Sequence, residues 1–98
     1  MANLYVNVWP DAKETALGTM EAVLKITTLS GSNQVTSAVA ENGTTKIKRV
    51  RIYAEANAFI AMGANPDATE AAQQIPIGAD NPEYFTVPLG TKFAGITR

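Results

Sequence analysis

Neither cysteine nor histidine occurs among the 98 residues. Without cysteine there is no disulfide framework, thiolate nucleophile or thiolate zinc site. Without histidine, the commonest general base and metal ligand near neutral pH is missing as well. No apolar run approaches the ~20 residues of a membrane-spanning helix. The opening residues, Met1 to Glu14, lack the basic start and apolar stretch of a signal peptide. Charge of one sign is also lacking: eight basic and nine acidic residues leave a net charge of −1. That balance argues against nucleic acid as a partner, because phosphate recognition needs a strong positive field. Large apolar side chains are few, with one Trp, three Phe and three Met, and sixteen of the hydrophobic residues are alanine. At ~25 cal/mol per Å² of buried apolar area, such a core holds one small domain with little to spare. Association with other chains, including a homo-oligomer, is therefore expected.

What is present is dense turn punctuation. Leu4, Val6 and Val8 alternate with Tyr5, Asn7 and Trp9, and Pro10-Asp11 closes that segment. From Glu21 to Leu29, Ala22, Leu24 and Ile26 share one face, with Lys25 and Thr27 opposite. Ser30-Gly31-Ser32-Asn33 is a turn cluster, and Val35–Ala40 reads as another strand. Asn42-Gly43 suits the left-handed positions of a type I′ turn and predicts a tight hairpin whose second arm runs from Thr44 to about Ala54. On that arm Lys48, Val50, Ile52 and Ala54 share one face, and Ile47, Arg49, Arg51 and Tyr53 the other. Ala58–Met62, Gln73–Ile77, Tyr84–Val87 and Phe93–Thr97 complete the strands, with Pro76 placing its segment at an edge or bulge. The expected fold is one all-β domain over residues 1–98, a small antiparallel β-sandwich (jelly-roll-like) or barrel. Residues 1–20 are expected to form an extended N-terminal segment, an arm contacting neighbours.

The chemistry-bearing residues do not assemble into a catalytic kit. The nine acids, scattered from Asp11 to Glu83, read as solvated turn and surface residues. Neither Asp67 with Glu70 nor Asp80 with Glu83 has the ligand density of a calcium loop. Gly90-Thr91-Lys92 lacks the upstream glycine spacing of a phosphate loop. The expectation is a contact-making protein with no enzymatic activity, cofactor or metal. Four of the eight basic residues, Lys46, Lys48, Arg49 and Arg51, fall on one predicted strand but divide between its faces. Arginine and aromatic residues commonly anchor protein interfaces. The interface candidates are Tyr5 and Trp9 near the N-terminus, Arg49, Arg51 and Tyr53 on one strand face, Asn65 in the loop to Gln74, and Tyr84.

The run Val50-Arg51-Ile52-Tyr53-Ala54, followed by Ala58-Phe59-Ile60-Ala61-Met62-Gly63-Ala64-Asn65-Pro66 and Ala68-Thr69, resembles small tailed-bacteriophage virion proteins. So does the ending, with Ile75-Pro76-Ile77, Pro82-Glu83-Tyr84-Phe85, Val87-Pro88-Leu89-Gly90 and Lys92-Phe93-Ala94-Gly95-Ile96. About half the chain is covered, by a pattern of strands and turns, and residues 1–20 match nothing in it. The resemblance implies a compact β protein of the phage particle, most simply a capsid decoration or cement protein. Its partner would be the major capsid protein or another virion protein, on the capsid surface after a passage through the host cytoplasm during assembly. A neck, tail or fibre-associated module is the alternative within the virion. A carbohydrate-binding sandwich aiding host-surface attachment, using Trp9, Tyr53 and Tyr84, is a further alternative.

Overall fold

Burial along the longest strand alternates residue by residue. Lys48, Val50, Ile52 and Ala54 are fully buried, whereas Arg49, Arg51 and Tyr53 are half-buried and Ile47 is exposed. This is the period-two signature of a strand with one face on a core. The computed structural model describes residues 2–9, 22–27, 29–39 and 47–98. They form β1 (Leu4–Trp9), β2 (Ala22–Ile26), β3 (Gln34–Val35), β4 (Ile47–Ala54), β5 (Ala58–Gly63), β6 (Ile75–Ile77), β7 (Glu83–Pro88) and β8 (Lys92–Thr97). Two four-stranded sheets result, ordered β2-β1-β4-β7 and β3-β8-β5-β6, and every pairing is antiparallel. The chain is thus an all-β sandwich, as its punctuation implies.

The strand order has a simple logic. β5 pairs with β6, β4 with β7, and β3 with β8. These pairs are nested, as though one long hairpin with its bend at residues 64–74 had been rolled into two layers. That is the arrangement of a jelly roll. In this scheme β2 would pair with a strand following β8, and β1 occupies that place, between β2 and β4. The two chain ends meet accordingly. Ala2 accepts a bond from the Leu29 N–H and Thr97 donates to the Ser30 carbonyl, while Asn3 accepts from Glu55 and Arg98 donates to Asn57.

Three expectations need correction. The N-terminal arm does not exist over residues 4–9: β1 is an interior strand, with Leu4 and Val6 fully buried and Val8 nearly so. Residues 10–20 of the expected arm lie outside the described residues. So does the Asn42-Gly43 turn. The segments it was expected to fold back on each other lie in different sheets, β3 against β8 and β4 between β1 and β7. Finally, the strand expected over Val35–Ala40 stops at Val35. The Thr36 hydroxyl, rather than a backbone carbonyl, accepts the Phe93 N–H at 3.1 Å. A side-chain oxygen competing for ladder donors ends regular pairing. The chain still follows β8, through Thr36 N–H to the Phe93 carbonyl and Val39 N–H to the Thr91 carbonyl.

One core joins the sheets. Leu4, Val6, Val8, Ile26, Val50, Ile52 and Val87 from the first meet Ala58, Ile60, Ile77 and Phe93 from the second. Gly95 allows the closest approach: a Cβ there would stand 3.1 Å from Leu29 Cδ2, 3.2 Å from Leu4 Cδ1 and 3.3 Å from Ile26 Cδ1. A second, smaller cluster lies on the outside of the second sheet, where Ala61, Ala94 and Ile96 are covered by Ala68. Asn33 fastens that covering loop. Its Nδ2 donates to the Pro66 carbonyl at 3.3 Å, and its Oδ1 accepts the Ala68 N–H at 2.8 Å. Within the loop, the Asp67 carboxylate accepts the Thr69 N–H and hydroxyl, which holds it below the usual carboxylate range.

Two stability predictions follow from this packing. Gly95→Ala is expected to cost about 1–3 kcal/mol through overpacking, whereas Gly31→Ala, with nothing within 4 Å, should change little; denaturant unfolding compares them. Deleting residues 1–9 should abolish the cooperative unfolding transition, because it removes an interior strand. A truncated protein that melts like the full chain would contradict the placement of β1.

Candidate contact face

The residues that alternate with the core side chains of β1, β2, β4 and β7 share the outer surface of the first sheet. Pairing register sets them in rows. Lys25, Tyr5 and Tyr53 form one row across β2, β1 and β4. Val23, Asn7, Arg51 and Tyr84 form the next across all four strands. Trp9, Arg49 and Thr86 form the third, and Ile47 stands opposite Pro88 at the end. Tyr5, Trp9, Arg49, Arg51, Tyr53 and Tyr84 are therefore brought together. Asn65 is not: it is an exposed residue at the start of the loop that covers the opposite sheet.

Cations and rings are interleaved on this face. The Lys25 Nζ lies 5.5 Å from the Tyr5 ring centroid, Arg49 Cζ lies 5.1 Å from that of Tyr84, and Arg51 Cζ lies 6.0 Å from that of Trp9. Each geometry lets the ring quadrupole attract the charge. Arg51 is further fixed by donating from Nε to Asn7 Oδ1 at 3.0 Å. Tyr5 and Tyr53 stack at 5.8 Å with 22° between their planes. The Tyr5 hydroxyl accepts from Asn3 Nδ2 at 3.0 Å, and the Tyr53 hydroxyl donates to Asp80 Oδ1 at 3.0 Å. Asp80 is positioned for this by a left-handed backbone, φ 58°, and by its N–H bond to the Ala54 carbonyl. A short polar side chain tolerates that conformation.

The face also carries exposed apolar surface. Val23, Ile47 and Tyr84 are 48%, 52% and 42% exposed, and all three project here. Alongside Arg49, an open depression of about 350 Å³ is lined by Tyr84, Phe85 and Thr86. Trp9 differs from the other aromatic candidates in being only 4% exposed, so it offers little surface of its own. Lys25, Asn7 and Val23 belong to the face but were not singled out in sequence. The alternation of β2 marks Lys25 as outward, yet nothing local says that β2 lies beside β1. Among the described residues no three acidic side chains converge on a metal-sized site, and no helix is long and apolar enough to cross a membrane.

The Tyr53 phenol has its pKa raised, first by donating to Asp80, then by burial and by the nearby negative charges of Asp80 and Glu55. A raised acid of this kind stabilises the fold below its unfolded pKa and loses that contribution as pH rises through the folded value. Asp80→Asn should therefore lower the Tyr53 pKa and shrink this contribution, so that less stability is lost as pH rises through the phenol range. A phenolate titration followed by ultraviolet absorbance and ring-proton shifts, run on the variant beside the unaltered chain, checks this.

Known proteins offer no further guide to the face, since the chain matches no protein-family model, no curated protein and no solved structure.

Proposed function

We propose that this chain is a structural component of a bacteriophage particle, a capsid decoration protein that binds major capsid subunits and stabilises the shell. The observation that carries the reading is the convergence of Tyr5, Arg49, Arg51, Tyr53 and Tyr84, with exposed Val23 and Ile47, on one sheet face. Arginine and aromatic side chains over a partly apolar surface are the composition of interface anchors. The likeness of the second half of the sequence to small phage virion proteins supplies the setting. Copies arranged around neighbouring capsid subunits would act together, because each contact raises the effective concentration of the next. The chain carries this out without a cofactor, and its working location is the capsid surface.

A jelly-roll strand order does not choose the function, since the same architecture serves many. A carbohydrate platform is the weaker reading, because its rings are occupied: Tyr5 is stacked on Tyr53, Tyr84 lies under Arg49, and Trp9 is buried.

The test is to add the purified chain to shells assembled from the major capsid protein alone and to measure occupancy and thermal disruption. Binding should saturate in proportion to shell subunits and raise the disruption temperature. Arg49→Glu with Arg51→Glu should weaken binding by roughly tenfold or more, with the fold verified by circular dichroism. Saturation at a copy number set by the tail axis would instead support a neck or tail module. Absence of binding to any virion component would remove the proposal.

A further inference from the structure

Charge on the outer face of the first sheet is divided between its flanks. In the row of Tyr5 and Tyr53, exposed Lys25 stands on the β2 flank. Exposed Asp80 ends the same row on the β7 flank. Backbone direction places it there. Glu55 donates its N–H to Asn3, on the β1 side, so the preceding Ala54 carbonyl points the other way, where it accepts the Asp80 N–H. The row thus runs from an ammonium through two stacked rings to a carboxylate. The next row divides apolar area in the same way. Val23, 48% exposed, is on the β2 flank and Tyr84, 42% exposed, on the β7 flank. Between them Asn7 and Arg51 are bonded to each other.

A face of this plan is complementary to itself. A two-fold axis lying over the face, parallel to the strands and between β1 and β4, turns a second copy so that its β7 flank covers the β2 flank of the first. Lys25 of each copy then stands over Asp80 of the other, and Val23 over Tyr84. Each contact occurs twice, because a two-fold interface is reciprocal. The two Tyr5–Tyr53 stacks meet across the axis. Sheets packed face to face keep their strands within about 30° of each other, which this axis satisfies. An axis perpendicular to the strands would return each flank to itself and leave Lys25 away from Asp80. The contacts lie toward the end of the face away from buried Trp9.

We infer that this face pairs two copies of the chain across a two-fold axis, through reciprocal Lys25–Asp80 and Val23–Tyr84 contacts. At ~4.8 Å per strand, the four-stranded patch is about 20 Å across. That is the small end of specific interfaces, so the pair is reversible. The inference goes beyond the decoration reading and does not rest on it. Where that reading holds, pairing and capsid binding compete for the same rows, and the pair parts before a shell subunit takes the face.

The test is self-association of the full chain, followed by sedimentation equilibrium and by amide shifts over a concentration series. The chain should pass from monomer to dimer, with concentration-dependent shifts at 23, 25, 80 and 84. Lys25→Asp and Asp80→Lys each oppose like charges across the axis, and each should weaken pairing roughly tenfold. An equal mixture of the two variants should recover it, because each then meets opposite charge at both contacts. The shifts of the unaltered chain stand even if the Asp80 variant is poorly folded. A chain monomeric up to about 1 mM, shifts confined to the second sheet, or a mixture no tighter than its components would overturn the inference. Shells that bind a strictly monomeric chain would leave decoration standing and remove the pairing; a pairing chain that binds no shell would remove decoration alone.

Discussion

Six residue pairs run between β1 and β4, from Leu4 opposite Ala54 to Trp9 opposite Arg49. Both faces of the first sheet are set by that register. Inward, it stacks Leu4, Val6 and Val8 on Ala54, Ile52 and Val50, all of them buried. Outward, it sets Tyr5 beside Tyr53, Asn7 beside Arg51 and Trp9 beside Arg49. A slip of one residue would turn every side chain of β1 to the wrong face. It would turn Tyr5 and Asn7 toward the core and three core residues outward. The contact face therefore cannot be altered independently of the core: the hydrophobic burial of one side of β1 holds the stack, the amide bond and the ring contacts on the other.

The alternation of β1 and β4 was legible in the sequence because each is half-buried, and half-burial writes itself as a two-residue period. β5 and β8 were legible for another reason: short apolar runs, one ending at Gly63 and the other following Gly90, have strand length. Neighbour relations were not legible. That β1 separates β2 from β4 depends on which apolar face completes which layer, a choice spread over the whole chain. Proximity to the N-terminus suggested an arm, whereas Leu4, Val6 and Val8, read as a core pattern, place the same residues inside a sheet. The six face residues were each marked by type, as arginine or aromatic, but their convergence is a property of register. Asn65 lies apart from them on the same ground, since its loop is fastened to the other sheet by Asn33, a bond between residues 33 positions apart in the chain.

Alanine has a different role from the one its small buried area suggests. Ala54, Ala58, Ala61, Ala68 and Ala94 are fully buried. Three of them, Ala61, Ala68 and Ala94, make the thin layer between the second sheet and its covering loop. Gly95 and its neighbours carry the same theme into the main core. Small side chains let backbones approach, so the area lost in side-chain size is partly recovered in closeness of packing.

The outer face of the first sheet is partly buried, at Trp9 and Asn7, and the form of its exposed part bears on how it binds. Free arginine and lysine side chains lose rotamer freedom when a partner immobilises them, and that loss opposes association. Here Arg51 is already held between Asn7 and the ring of Trp9, and Arg49 lies over Tyr84. Their charges are therefore presented in a fixed frame before any partner arrives. The rings orient the cations, and through Val23, Ile47 and Tyr84 the face keeps apolar area to bury around them. Charge supplies selection, apolar area supplies affinity, and the β1–β4 register supplies the order that lets both act at one place.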